Sequence, residues 1–272
     1  TIMPSSPEPA SPVETIRRRL SLDLLTRGRI VLIGLGGIGL ILARYLTLFL
    51  SAFRDVEFRL VLCDGDAFEP ANAYRMDVPD FDNKAAAVAA ELTRLFGRGG
   101  LHVRFVPEYV TAQNAGDVIR PGDCVLLAVD NHATRLLVSQ RCGRLDDVVL
   151  ISGGNDGVEG NLDGTYGNVQ IHVRRGGRDE NPALEQFHPE IASPADRSPS
   201  ELDCLELAAG GAPQMLFANL AMASAMCNAL LRLLAPGRER MYDEACLDIH
   251  AGVCTPHWLT APKDAVASAE PL

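Results

Sequence analysis

A chain of 272 residues with 47% hydrophobic and 22% charged side chains can bury a substantial core, which excludes a disulfide miniprotein, a fibre and a disordered tail. Its 25 Lys and Arg against 35 Asp and Glu leave a formal net charge of −10, so duplex nucleic acid and anionic membrane surfaces meet repulsion, and a polyanion needs a local basic pocket. Seven cysteines, at positions 63, 124, 142, 204, 227, 246 and 254, form no C-x-x-C pair, which argues against a zinc ribbon and a disulfide framework and for a reducing cytoplasm.

Residues 1–14 hold Pro4, Pro7, Pro9 and Pro12 among Ser and Glu and read as a disordered lead-in with neither the basic nor the apolar region of a targeting signal. Residues 15–272 read as a single domain. Ile30 to Ile33 is a β-branched run, Gly34 to Gly39 a glycine turn and Leu40 to Phe53 a helix without glycine or proline. Four glycines inside this apolar stretch argue against a membrane span, because each would cost about 1 kcal/mol in a helix interior. Phe58 to Cys63, Leu101 to Val106, Cys124 to Val129 and Val148 to Ile151 are further strands, with helices over 84–96, near 112–119 and over 132–142. Strand and helix in alternation predict an α/β fold, a Rossmann-like doubly wound and mostly parallel sheet occupying 29–152.

From 153 the character changes, with Gly153, Gly154, Gly157, Gly160, Gly164 and Gly167 leading into the alternating Asn168 to Val173, the signature of antiparallel hairpins. Residues 153–272 therefore form an antiparallel, substrate-facing half. Within it, 176–203 has four prolines and no period, and reads as a mobile loop. Pro213 to Leu234 is a long apolar helix interrupted by Asn219, Asn228 and Arg232, so it belongs inside the domain or at a subunit interface, and Met241 to Ile249 and Val253 to Leu259 are closing strands.

A strand running into G-x-G-x-x-G and a helix aims backbone N–H groups and the positive helix end at a phosphate. Gly34, Gly36, Gly37 and Gly39 are the candidate cradle, and Asp64, ending the second strand, is placed to accept from ribose hydroxyls of either a dinucleotide or ATP. Downstream come Asp66, Asn72, Arg75, Lys84 and Asp130-Asn131. A triphosphate needs cations and a magnesium-holding acid, whereas a nicotinamide cofactor needs neither.

With G-L-G-G-I-G at 34–39, D-G-D at 64–66, Asn72, Arg75, Lys84 and V-D-N at 129–131, the chain resembles the E1-like activating enzymes, the ThiF and MoeB type adenylyltransferases. The resemblance covers Arg29 to Val173 well and the remainder more loosely. It implies ATP-dependent adenylation of the C-terminal carboxylate of a small ubiquitin-like or sulfur-carrier protein. Asn72, Arg75 and Lys84 would contact phosphates, Asn131 would belong to the nucleotide site and Asp130 would hold Mg²⁺. It also implies a homodimer, and an arginine supplied across subunits, for which Arg17, Arg18 and Arg19 are available. The zinc-binding cysteine pairs of many relatives are missing, so no zinc is expected. Cys204 is the candidate for a thioester, although Asp203 and Glu206 would raise its pKa and a structural cysteine explains it equally well. On the residues alone, Asp130 serves also as a helix N-cap, and Arg75 and Lys84 as solvated cations. An NAD-dependent oxidoreductase and an inactive E1-like scaffold stay open as alternatives.

Overall fold

The computed structural model describes residues 11–68, 83–97, 99–202, 214–235, 237 and 241–259. In chain order α1 (Pro12–Arg17), α2 (Asp23–Arg27), β1 (Ile30–Ile33), α3 (Gly37–Ser51), β2 (Phe58–Cys63), α4 (Lys84–Phe96) and β3 (Leu101–Val106) come first. Then follow α5 (Ala115–Val118), β4 (Cys124–Leu127), α6 (His132–Cys142), β5 (Val148–Asn155), β6 (Val158–Glu159), β7 (Leu162–Asp163), β8 (Tyr166–Arg175) and β9 (Arg178–Asp179). The chain closes with α7 (Pro189–Ala192), α8 (Leu216–Leu234), β10 (Glu244–Asp248) and β11 (Val253–His257).

β1 is flanked by β2 on one side and β4 on the other, both parallel, with Ile30 opposite Leu60 and Cys124. β3 joins β2 and β5 joins β4 in the same sense. Beyond β5 the sheet turns antiparallel through β8, β10 and β11, so the α/β architecture is the expected one, mostly parallel with an antiparallel carboxyl-terminal part. Because the chain leaves β1 first toward β2 and later returns on the β4 side, the carboxyl ends of β1 and β4 open onto the crevice where such sheets bind ligands.

The all-apolar strands β1 and β4 are buried on both faces. α3, α4 and α8 pack on one face with Leu32, Leu60 and Ile151, and α5 and α6 on the other with Val31, Val125 and Leu150. α8 is long and apolar enough to cross a membrane by length and composition alone. Here it lies on β5 and β8, with Met226 filling the Cβ position of Gly153 and Met222 that of Gly167. At the amino edge of the sheet, Asp123 (2% exposed) accepts from the Arg29 guanidinium at 2.6 Å and from the Arg29 and Arg120 backbone N–H groups at 2.9 and 2.8 Å.

Three sequence expectations change. Order begins before residue 15, because Ser11 caps α1 through the Glu14 N–H at 3.2 Å and Pro12 sits at the first helical position. The strand expected to end at Ile151 continues to Asn155, paired with β8 through two glycines whose missing side chains make room for Met226 and Arg135. The stretch 176–203, expected as a mobile loop without a period, carries β9, a 3-10 turn at Leu184–Gln186, α7 and another 3-10 turn at Pro199–Glu201. It is held by buried Leu184 and Ile191 and by His188, whose Nδ1 is 2.8 Å from Glu190 and whose Nε2 makes a 3.2 Å ion-pair contact with Glu244.

Candidate nucleotide site

The glycine turn lies between β1 and α3 at the crevice. Gly34 has φ +87°, and a Cβ there would stand 2.7 Å from the Ala128 carbonyl oxygen, so only glycine lets the turn lie against the end of β4. A Cβ on Gly39 would meet the Gly34 carbonyl oxygen at 1.8 Å. Above Gly36 there is open space. No side chain caps the first turn of α3, leaving its N–H groups for an anion.

Asp64 is 7% exposed beside this turn, its Oδ2 accepting from the Leu35 N–H at 2.5 Å and its Oδ1 from the Asp66 N–H at 2.8 Å. Burial pushes its pKa up to about 6, against the pull of nearby Lys84. Lys84, the first residue of α4, is bound to Asp66 at 2.7 Å. That acid also accepts from the Tyr109 hydroxyl. The Tyr109 ring covers Gly65 so closely that a Cβ there would stand 2.6 Å from it. Asn83 caps α4 through the Ala86 N–H at 3.1 Å and donates to the Asp64 and Asp66 carbonyls at 2.9 and 3.1 Å, fixing the acidic loop against the helix.

Asp130 is an exposed carboxylate just past β4. It is not the N-cap of α6; Asn131 is, accepting from the Thr134 N–H at 2.8 Å. Asp196, from the stretch after α7, accepts from the His132 and Ala133 N–H groups at 2.7 and 2.9 Å. The start of α6 is thus filled by the protein's own groups, whereas no side chain caps that of α3, so of the two it is α3 whose first turn is open to an anion.

The structure therefore gathers Gly34, Gly36, Gly37, Gly39, Asp64, Asp66 and Lys84 at the carboxyl edge of β1 and β2, with Asp130 and Asn131 at the end of β4. Asn72, Arg75 and Cys204 lie outside the described residues. Arg17 pairs with Asp55 and Arg18 with Glu14 at 3.4 Å. Asp55 follows the far end of α3, a helix of 15 residues, so Arg17 is roughly 20 Å from its own chain's turn at 1.5 Å per residue. Cys63, Cys124 and Cys142 are free and buried, their thiols pushed up to about 12 chiefly by burial. Cys227 is half-buried.

Sequence reasoning missed Arg135. It is 6% exposed on α6 and donates to the Val129 and Gly153 carbonyls at 3.0 and 3.3 Å, filling the Cβ position of Gly154. Burial lowers its pKa, while the fields of Asp130, Asp196 and Glu190 oppose that. Its signal was spacing: Arg135, Val138 and Cys142 lie at i, i+3 and i+7, the buried face of the helix. Asp196 had no comparable signal in the sequence.

A bare helix start, an acid at the end of β2 and open space over Gly36 fit a nucleotide. Among the described residues no three His, Cys, Asp or Glu side chains gather for a metal. Asp130 suits instead an ion shared between one carboxylate and phosphate oxygens.

The family model of the ThiF family matches residues 13–246. No curated protein sequence matches the chain. Among solved structures, PaaA aligns with TM-score 0.60 and 16% identity over 86% of this chain and 65% of PaaA. E. coli MccB with ATP aligns with TM-score 0.60 and 15% identity over 89% of this chain and 66% of MccB. The microcin C7 biosynthetic enzyme MccB with N-formylated MccA gives 0.61 and 15% over 86% and 65%. The chain thus spans just under two thirds of the length of these structures.

Proposed function

We propose that this chain, which belongs to the ThiF family, adenylates the C-terminal carboxylate of a small protein or peptide with ATP. The observation that carries the reading is the uncapped first turn of α3 at the β1–β4 crevice, flanked by Asp64 and Asp130. E. coli MccB crystallised with ATP, and the same enzyme with MccA, support a nucleotide and a small partner here.

In this reading the N–H groups of Gly37 and Ile38 hold phosphate oxygens, and Asp64 accepts from the ribose hydroxyls. A carboxylate oxygen of the partner attacks the α-phosphorus, the bond to the bridging oxygen breaks, and pyrophosphate leaves with the electron pair. Arg75, Asn72 and Lys84 offset the charge on the departing group, Lys84 while shared with Asp66. Asp130 would hold magnesium, whose charge acts on the same oxygens. Asn131 orients the start of α6 beside it. A ubiquitin-like or sulfur-carrier protein is the proposed acceptor, and transfer to Cys204 as a thioester is a finer step of the same proposal. Free buried thiols suit the proposed cytoplasmic setting.

We also propose a homodimer, in which Arg17, Arg18 or Arg19 of one subunit serves the other's phosphates. Its support is the apolar outer surface of α3 and α8, where Tyr45 is 61% and Phe217 71% exposed.

Partner-dependent exchange of labelled pyrophosphate into ATP tests the enzyme. Asp130→Ala and Arg75→Ala are each expected to slow it by about 10²-fold or more, the scale for removing one charge-stabilising group. Exchange that survives both substitutions would refute the site assignment.

A further inference from the structure

One buried polar side chain beside the glycine turn is used by nothing described so far. Asn219, in the first turn of α8, is wholly buried, and neither its Nδ2 nor its Oδ1 has a hydrogen-bond partner. The other buried residues along that helix face, among them Ala218, Met222, Ala223 and Met226, are apolar. The amide abuts the start of α3: a Cβ built on Gly37 would lie 1.9 Å from Asn219 Nδ2 and 3.4 Å from Oδ1. Gly37 is the first helical residue of α3, so a donor stands alongside N–H groups that no side chain caps.

A buried amide without a partner is a penalty that leucine or methionine would avoid, and an enclosed donor gains most from an anionic acceptor. Asn219 and Gly37 are also sterically matched, since any side chain at 37 would displace the amide. The neighbouring donors are those of the uncapped α3 turn, where an anion would supply an acceptor to the amide as well.

We infer that Asn219 is a nucleotide-binding residue, its Nδ2 donating to a phosphate oxygen beside the Gly37 and Ile38 N–H groups. This rests on the reading that the turn holds ATP. Asn219 supplies directional, uncharged recognition from α8. Ligand entry gives the amide the acceptor it lacks and thereby couples α8 to α3.

Calorimetry with ATP and with adenosine, on wild type, Asn219→Leu and Asn219→Asp, tests the inference. Leucine is close in volume and removes the orphaned donor, so the ligand-free variant is expected to unfold at the wild-type temperature or above. ATP affinity should fall about tenfold in Asn219→Leu, the size of one hydrogen bond to a charged group, and further in Asn219→Asp, while adenosine affinity is unchanged. Unchanged ATP affinity, or equal losses for ATP and adenosine, would overturn the role of Asn219. A change confined to the KM of the carboxylate partner would overturn it too. Wild-type protein that binds ATP no better than adenosine would instead refute the nucleotide reading itself, and the inference with it.

Discussion

Asp64 shows how one residue ties the fold's stability to ligand binding in opposite directions. Its carboxyl titrates near 6 in the folded chain because it is buried, against about 3.9 in an unfolded one. The native state therefore holds a proton that the unfolded state has lost between these values, so stability is expected to fall as pH rises from about 4 to about 6 and then to level off. Ribose hydroxyls are donors and need the ionised acid, so ATP affinity should rise over the same interval. Asp64→Asn should flatten both curves and weaken ATP binding about tenfold, which chemical denaturation and calorimetry across pH would measure. A binding curve with the slope reversed would remove Asp64 from the ribose contact. At this scale the glycines, Asp64 and Asp130 were readable because each follows directly from where a strand ends. Arg135 and Asp196 were not, because what matters about them is a partner 18 residues away at Gly153 in one case and 64 away at His132 in the other.

Among the elements, the strand–turn–helix of β1 and α3 was legible in kind and order, with β1 at the expected residues, while α3 starts three residues earlier than expected, at Gly37, and ends two earlier, at Ser51. The stretch after β9 was not. Its short helices have only a few residues each, too few for a period to show, and they are stabilised by packing of Leu184 and Ile191 into the buried cluster beside α6 rather than by local propensity. Asn131 rather than Asp130 as the cap of α6 is a one-position distinction that composition does not make. The latch between Arg29 and Asp123 joins the starts of β1 and β4 at the edge opposite the nucleotide site. Asp123→Ala removes the buried acceptor of two backbone donors and leaves the half-buried Arg29 guanidinium with the Val118 carbonyl, and is expected to cost about 3 kcal/mol of unfolding free energy in urea. Pyrophosphate exchange per folded molecule should stay at the wild-type rate; a loss of exchange in the folded fraction would mean that the two edges are coupled.

Across the whole molecule, a mostly parallel sheet with an antiparallel extension brings one carboxyl edge to the chemistry and leaves α3 and α8 with apolar side chains outward. A cavity of about 380 Å³ lined by Ile16, Leu20, Phe49 and Leu231 lies between α1, α3 and α8. If two copies join there, sedimentation should give twice the chain mass, and Leu48→Glu with Leu231→Glu should return monomers that keep their secondary structure by circular dichroism. Monomers from the unaltered chain would refute the dimer, and with it the arginine supplied across subunits. Because the Arg29–Asp123 latch lies at the edge away from the glycine turn, substitutions there should tune heat tolerance while loops at the carboxyl edge are exchanged for ones that accept a different cargo.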